Sequence, residues 1–209
     1  MDQLTVLLLY FTSFFTLMNP LGIMPVYLTM TASLSKKRRA KTAVKATITA
    51  TATLILFAFA GKYLFDFFGI SVAGLKVVGG VIFFMVGYDM LNARLSRIKI
   101  KEEEVEEYVN DISITPLGIP MIAGPGAITN AIVLMGDAPD YTGKLMVVLS
   151  ILLVSFVILI SLLGASSILK SIGEQGTKIL TKLMGLIVMV IAVEFFFSGI
   201  TPYVQMMIK

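Results

Sequence analysis

The sequence predicts an all-α integral membrane protein. Six transmembrane segments fall into two inverted-topology three-helix repeats, with discontinuous first and fourth helices. Three observations lead there. Only 14% of the 209 residues are charged and 57% are hydrophobic, with a mean hydropathy of +0.91, against about 25% charged in soluble domains. Long runs carry no charge at all: Gln3 to Ser35, Ala46 to Gly61, Ile112 to Gly136 and Leu145 to Leu169. The tetrapeptide Pro-Leu-Gly-Ile occurs twice inside such runs, at residues 20–23 and 116–119.

Crossing a bilayer takes about 20 mostly apolar residues, and the spans fall at about 4–33, 44–65, 70–93, 112–136, 145–169 and 179–203. The chain opens Met1-Asp2 without a basic n-region, which argues against a cleaved signal peptide. Basic residues set the orientation. Lys36, Lys37, Arg38, Arg39, Lys41 and Lys45 follow the first span, and Arg94, Arg97, Lys99 and Lys101 follow the third. Lys170, Lys178 and Lys182 lie between the fifth and the sixth. Thus 13 of the 17 Lys and Arg share one side, leaving Lys62, Lys76, Lys144 and Lys209 opposite. The positive-inside rule makes the first side cytoplasmic and both termini extracytoplasmic. The acidic stretch Glu102, Glu103, Glu104, Glu106, Glu107 and Asp111 does not oppose this, and reads as a solvated loop or short surface helix.

Three spans per half give the two halves opposite orientations. We divide the chain into a first repeat at 1–95, a charged linker at 96–111 and a second repeat at 112–209. Lys76-Val-Val-Gly79 in the third span matches Lys182-Leu-Met-Gly185 in the sixth. These two lysines lie near opposite membrane faces, where snorkelling to headgroups accounts for them. Gly79, Gly80, Gly87, Gly164 and Gly185 permit close helix approach.

The interrupted segments carry the chemistry. Asn19-Pro20-Leu-Gly22-Ile-Met-Pro25 breaks the first span, because a proline removes a donor and frees the carbonyl four residues back. The second segment, Thr115-Pro116-Leu-Gly118-Ile-Pro120-Met-Ile-Ala-Gly124-Pro125-Gly126-Ala127, holds three prolines and three glycines within eleven residues. Such backbone survives at membrane depth only where protein or a water-filled cavity satisfies it. Half-helices restarting near Val26 to Ala32 and Ala127 to Leu134 would turn free N–H groups toward an anion, and the preceding half-helix ends would turn carbonyls toward a cation. Side chains of Asn19, Thr115, Thr129 and Asn130 add hydrogen bonds. Simple proline kinks are the competing account, disfavoured by the pairing of the clusters.

Two acidic residues fall within spans and mark candidate ion-coupling positions. Glu194 lies deep in the sixth, before Phe195-Phe196-Phe197, and Asp89 lies near the cytoplasmic end of the third, where an interfacial pair with Arg94 is an equal alternative. Neither cysteine nor histidine occurs, so the common zinc sites, Ser-His-Asp triads and Cys-His pairs are excluded. No catalytic residue, metal site or cofactor is assigned, and no ATP-binding motif occurs. The net charge of +4 belongs to cytoplasmic loops rather than to nucleic-acid binding.

The two interrupted segments closely resemble the signature segments of the MarC family, which includes prokaryotic small neutral amino acid transporters. The resemblance covers essentially the whole chain. It implies transport of glycine, alanine and similar solutes across the cytoplasmic membrane, coupled to a proton or sodium gradient. The site would draw on Asn19, Pro20, Gly22, Pro25, Thr115, Pro116, Gly118, Pro120, Gly124, Pro125, Gly126, Ala127, Thr129 and Asn130. The partners are then the amino acid and the lipid bilayer, with homo-oligomerisation open. The alternatives are an exporter or channel for another small solute and, far behind, an intramembrane aspartyl protease suggested by Gly87-Tyr88-Asp89.

Overall fold

The computed structural model describes residues 3–92 and 104–208. Arg94, Arg97, Lys99, Lys101, Glu102 and Glu103 lie outside them, and so does the predicted Asp89–Arg94 pair. The described residues are helical throughout, without a strand. Five helices are long and apolar enough to cross a bilayer, and six spans result if one pair bent by 61° counts as one. Large hydrophobic side chains such as Leu56, Phe59, Leu152 and Phe156 cover the perimeter, where hydrocarbon rather than water suits them.

Helix α1 (Gln3–Met18) gives way at Asn19 to α2 (Pro20–Met30). Asn19 is left-handed at φ 45°, and its side chain accepts the Gly22 N–H at 3.0 Å. An Asn cap followed by Pro at the first helical position is a strong start signal. That signal places the restart at Pro20, not near Val26 as the prolines alone suggested, and Pro25 lies inside α2.

Helix α3 (Lys36–Phe68) starts at the Ser35 cap and ends at the left-handed Gly69. Its first turns absorb the basic cluster expected in a loop, since Lys and Arg are good helix formers. At 33 residues it is about 50 Å long, well beyond the bilayer core. Helix α4 (Val72–Leu91) starts at the Ser71 cap. Helix α5 (Val105–Ile112) is short and amphipathic, burying Val105, Val109 and Ile112. It pairs with α3 through Lys41–Glu106 and Lys45–Asn110. The Lys41 hydrogen bond holds the Glu106 carboxyl below its usual range.

From Ser113 to Ile122 the chain forms an irregular wide coil, extended at Thr115 and Ile119, whose bonds to Pro116 and Pro120 are cis. Helix α6 (Pro125–Asp137) then departs at the bend. Helix α7 (Tyr141–Ile208) contains two span-length apolar stretches, 141–165 and 185–208. A loop was expected between them, yet the backbone stays helical, and no proline interrupts it there. The run must turn back on itself. Ser150 contacts the Leu7 carbonyl and Val188 faces Met18 across one cavity. Leu7 and Met18 are about 16 Å apart along α1, whereas residues 150 and 188 would be about 57 Å apart on a straight helix.

Lipid is as apolar as leucine, so close packing rather than water exclusion joins these helices. Ala43, Ala46, Ala50 and Leu54 form the buried stripe of α3, and Val147, Ile151, Val154, Ile158 and Leu162 that of α7. Thr51 and Ser155 share a hydrogen bond of 2.8 Å between them. The second stretch of α7 runs antiparallel along α4, where a Cβ on Gly80 would meet the Ala192 carbonyl at 2.7 Å, and one on Gly87 the Gly185 carbonyl at 2.7 Å. Gly164, expected to do the same, faces open space.

Candidate functional site

A cavity of about 200 Å³ lies where α1, α2, α4, α6 and the second half of α7 converge. Thr16, Leu17, Met18, Asn19, Gly22 and Ile23 form one wall, and Ile187, Val188, Ile191 and Phe195 form another. Phe83, Met121 and Gly124 complete it. No charged side chain lines it.

Its polarity comes from backbone and amide. Pro20 has no N–H to return to the Thr16 carbonyl, so the C-terminal end of α1 keeps an unpaired acceptor at the wall. The Thr16 hydroxyl turns back to the Thr12 carbonyl at 2.9 Å. Opposite, α6 begins at Gly124 without a side-chain cap. Pro125 carries no N–H, and the Gly126 and Ala127 N–H groups precede the first intrahelical bond, from Ile128 to the Gly124 carbonyl. The carbonyl end of α1 at Thr16 to Met18 and the residue that opens α6, Gly124, thus both line one uncharged space, and each helix end carries about half an elementary charge.

Asn19, Gly22 and Gly124 line this cavity among the sequence-predicted residues. Gly126 lies just behind it, with its Cβ position 3.0 Å from Leu17, and Pro125 wedges against Gly79 of α4. Pro20 and Ala127 are buried in the first turns of α2 and α6. The Thr129 hydroxyl is used on the Pro125 carbonyl at 2.8 Å. Asn130, the next residue on α6, accepts from Ser13 at 3.0 Å, while its Nδ2 is buried without a partner. Thr115, Pro116, Gly118 and Pro120 are absent from the cavity wall. Gly118 packs against Thr49 of α3, and Thr115 is exposed. The second Pro-Leu-Gly-Ile is thus off the cavity wall, which Met121 and Gly124 after it reach.

Glu194 is exposed and Asp89 half-buried, and neither borders the cavity. Gly80 lies level with Ala192 and Phe196, so Glu194 is about 13 Å from Asp89 along the helix axes, too far to form a carboxylate dyad. The apolar wall residues Phe83, Ile187, Val188, Ile191 and Phe195 had no distinguishing signal, because apolar residues predominate on every side of their helices.

Comparison with known proteins agrees over the full length. The family model described as MarC family integral membrane protein matches residues 4–204. A UPF0056 membrane protein of Methanocaldococcus jannaschii is 40% identical over 194 residues, covering 92% of this chain and 95% of that one. One from Pyrococcus abyssi is 33% identical, covering 91% and 92%. One from Aquifex aeolicus is 30% identical, covering 91% and 90%. No solved structure matches the chain. With five or six apolar spans among the described residues and a match across nearly every residue, the chain belongs to the MarC family of multi-pass integral membrane proteins.

Proposed function

We propose that this protein is a secondary active transporter of small neutral amino acids such as glycine and alanine. One observation carries the reading: an uncharged cavity is bordered by a helix carbonyl end on one side and a helix N–H end on the other. A zwitterion with no net charge satisfies both ends at once, whereas an ion would leave one unmatched. The size supports a small substrate, since about 200 Å³ falls below the roughly 300–1,000 Å³ of sites for drug-sized ligands.

The breaks at Asn19 and at Thr115–Gly124 fit discontinuous helices in two inverted repeats, 1–95 and 112–209, rocking about the cavity. In this reading the protein lies in the cytoplasmic membrane with both termini outside, and a proton or sodium gradient drives uptake. Asn19 binds substrate, and Glu194 and Asp89 couple the ion from outside the cavity.

Reconstituted protein tests this directly. Labelled glycine or alanine should accumulate in proteoliposomes when a proton or sodium gradient is imposed. Equilibration without accumulation would make it a channel, and no amino acid flux under either gradient would overturn the proposal.

A further inference from the structure

We propose that Lys76 and Ser198 form a second binding site, for the carboxylate group of the incoming solute, placed above the cavity and separated from it by the Phe83–Phe195 pair. The bundle is layered at the end where α4 begins. At the rim, Ser71 and Tyr203 share a hydrogen bond of 2.7 Å. One to two turns deeper, Lys76 Nζ donates to Ser198 Oγ at 3.2 Å, bridging α4 and α7. Deeper again, the rings of Phe83 and Phe195 meet with centroids 5.7 Å apart, and both line the cavity.

Sequence spacing puts these groups on one path. Residues 76, 79, 80 and 83 share a face of α4 at i, i+3, i+4 and i+7. On α7, residues 191, 195 and 198 share a face in the same way, half-buried at Ile191 and Phe195 and exposed at Ser198. Gly79 abuts Pro125 and Gly80 abuts Ala192, so this face of α4 looks into the bundle, not into lipid. A snorkelling lysine would send its ammonium to the rim, whereas Lys76 is half-buried and reaches across to α7.

The chemistry left over is that of an anion site. An ammonium has three donors, and Ser198 takes one of them. The hydroxyl is neutral, and Lys76 has no carboxylate within ion-pair distance among the described residues. Having accepted from Lys76, Ser198 retains its own O–H to donate. Two donors, one of them charged, therefore stand side by side at this exposed pair, and the two oxygens of a carboxylate match them. Glu194, one turn from Ser198 on α7, makes no ion pair with Lys76. The Phe83 and Phe195 rings must part for a solute to pass from this site into the cavity.

This site rests on the transporter reading for its role, so its test has two arms. The native chain has no cysteine, so Ser198→Cys gives a single reactive thiol. An anionic methanethiosulfonate should label it about tenfold faster than a cationic one, as expected for one charge-assisted contact. Adding Lys76→Gln should abolish that preference. Equal rates, or faster cationic labelling, would overturn the site whether or not the protein transports amino acids. In proteoliposomes, Lys76→Gln should raise the half-saturating alanine concentration about tenfold with maximal rate kept, and Lys76→Arg should restore it. A fall in maximal rate alone would mark Lys76 as structural and overturn the proposal. If the unmodified protein moves no amino acid, the transporter reading fails while the labelling result still decides whether an anion site exists.

Discussion

The Ser13 hydroxyl donates to the Asn130 side-chain carbonyl at 3.0 Å, tying α1 to α6 beside the cavity. The two residues are 117 positions apart, so the bond joins the two proposed repeats. The Asn130 Nδ2 is already buried without a partner, and removing Ser13 would leave the carbonyl unmatched as well. An unsatisfied buried polar group costs about 1–3 kcal/mol. Ser13→Ala should therefore lower stability by about that much, read as a drop in the thermal midpoint of detergent-purified protein.

Asn19 combines two roles that substitution can separate. Its left-handed backbone suits Asn or Gly, and its side chain caps α2. Asn19→Ala loses the cap, for about 1 kcal/mol, and strains the backbone. Asn19→Gly relieves the strain and costs only a few tenths of a kcal/mol. If the amide binds substrate, both variants insert into the membrane and both lose most alanine uptake. Normal uptake by Asn19→Gly would remove the side chain from the site.

What the sequence reveals and what it hides have one physical cause. Charge marks membrane boundaries, so the runs between Lys, Arg, Asp and Glu outline the spans that become α1 to α7. Within a span nearly everything is apolar, and periodicity loses the contrast that separates core from surface in water. Phe195 at the cavity and Phe197 facing outward are indistinguishable in sequence. The prolines announced interrupted helices, but the start of α2 was legible only through the Asn19-Pro20 cap. The helical link through 166–184 was hidden because lysine and glycine there suggested a loop, while nothing in the backbone forbade a helix. Lys76 looked like an interfacial lysine until its partner on α7 was known.

The antiparallel contact of α4 with α7 depends on absent side chains. A Cβ on Gly87 would lie 2.7 Å from the Gly185 carbonyl and 3.0 Å from the Met189 backbone nitrogen, both rigid backbone atoms. Gly87→Ala should force the helices apart and destabilise by about 1–3 kcal/mol. Gly164→Ala, whose Cβ would meet open space, should be neutral or slightly stabilising. Thermal unfolding of the two variants side by side checks the contrast.

Helix α5 holds the start of α3 through the Lys41–Glu106 pair, whose side chains are 43% and 57% exposed. Exposed pairs contribute little, so Glu106→Gln should shift the thermal midpoint by less than about 2 °C. The Glu106 carboxyl titrates below its usual range, chiefly through the Lys41 hydrogen bond. Its small contribution is therefore present above the ordinary glutamate pKa and is lost as pH falls through the lowered one. Tyr108 is different: half-buried, it donates to the Met30 carbonyl at the end of α2 at 2.9 Å. Tyr108→Phe should cost about 1 kcal/mol, so its midpoint should fall further than that of Glu106→Gln.

Glu194 separates substrate binding from ion coupling. It is exposed and lies one turn from Ile191 and one from Ser198, at the edge of the face that lines the cavity. A carboxylate at that depth is expensive unless it serves an ion or proton. Glu194→Gln keeps the shape and removes the charge. Gradient-driven uptake by this variant should lose its dependence on pH, while counterflow exchange of alanine, which needs no net ion movement, should continue within about twofold of the native rate because the cavity wall is intact. Uptake measured across a pH series, beside exchange at one pH, decides it. An unchanged pH profile would make Glu194 a structural residue, and a parallel loss of exchange would place it in the substrate path.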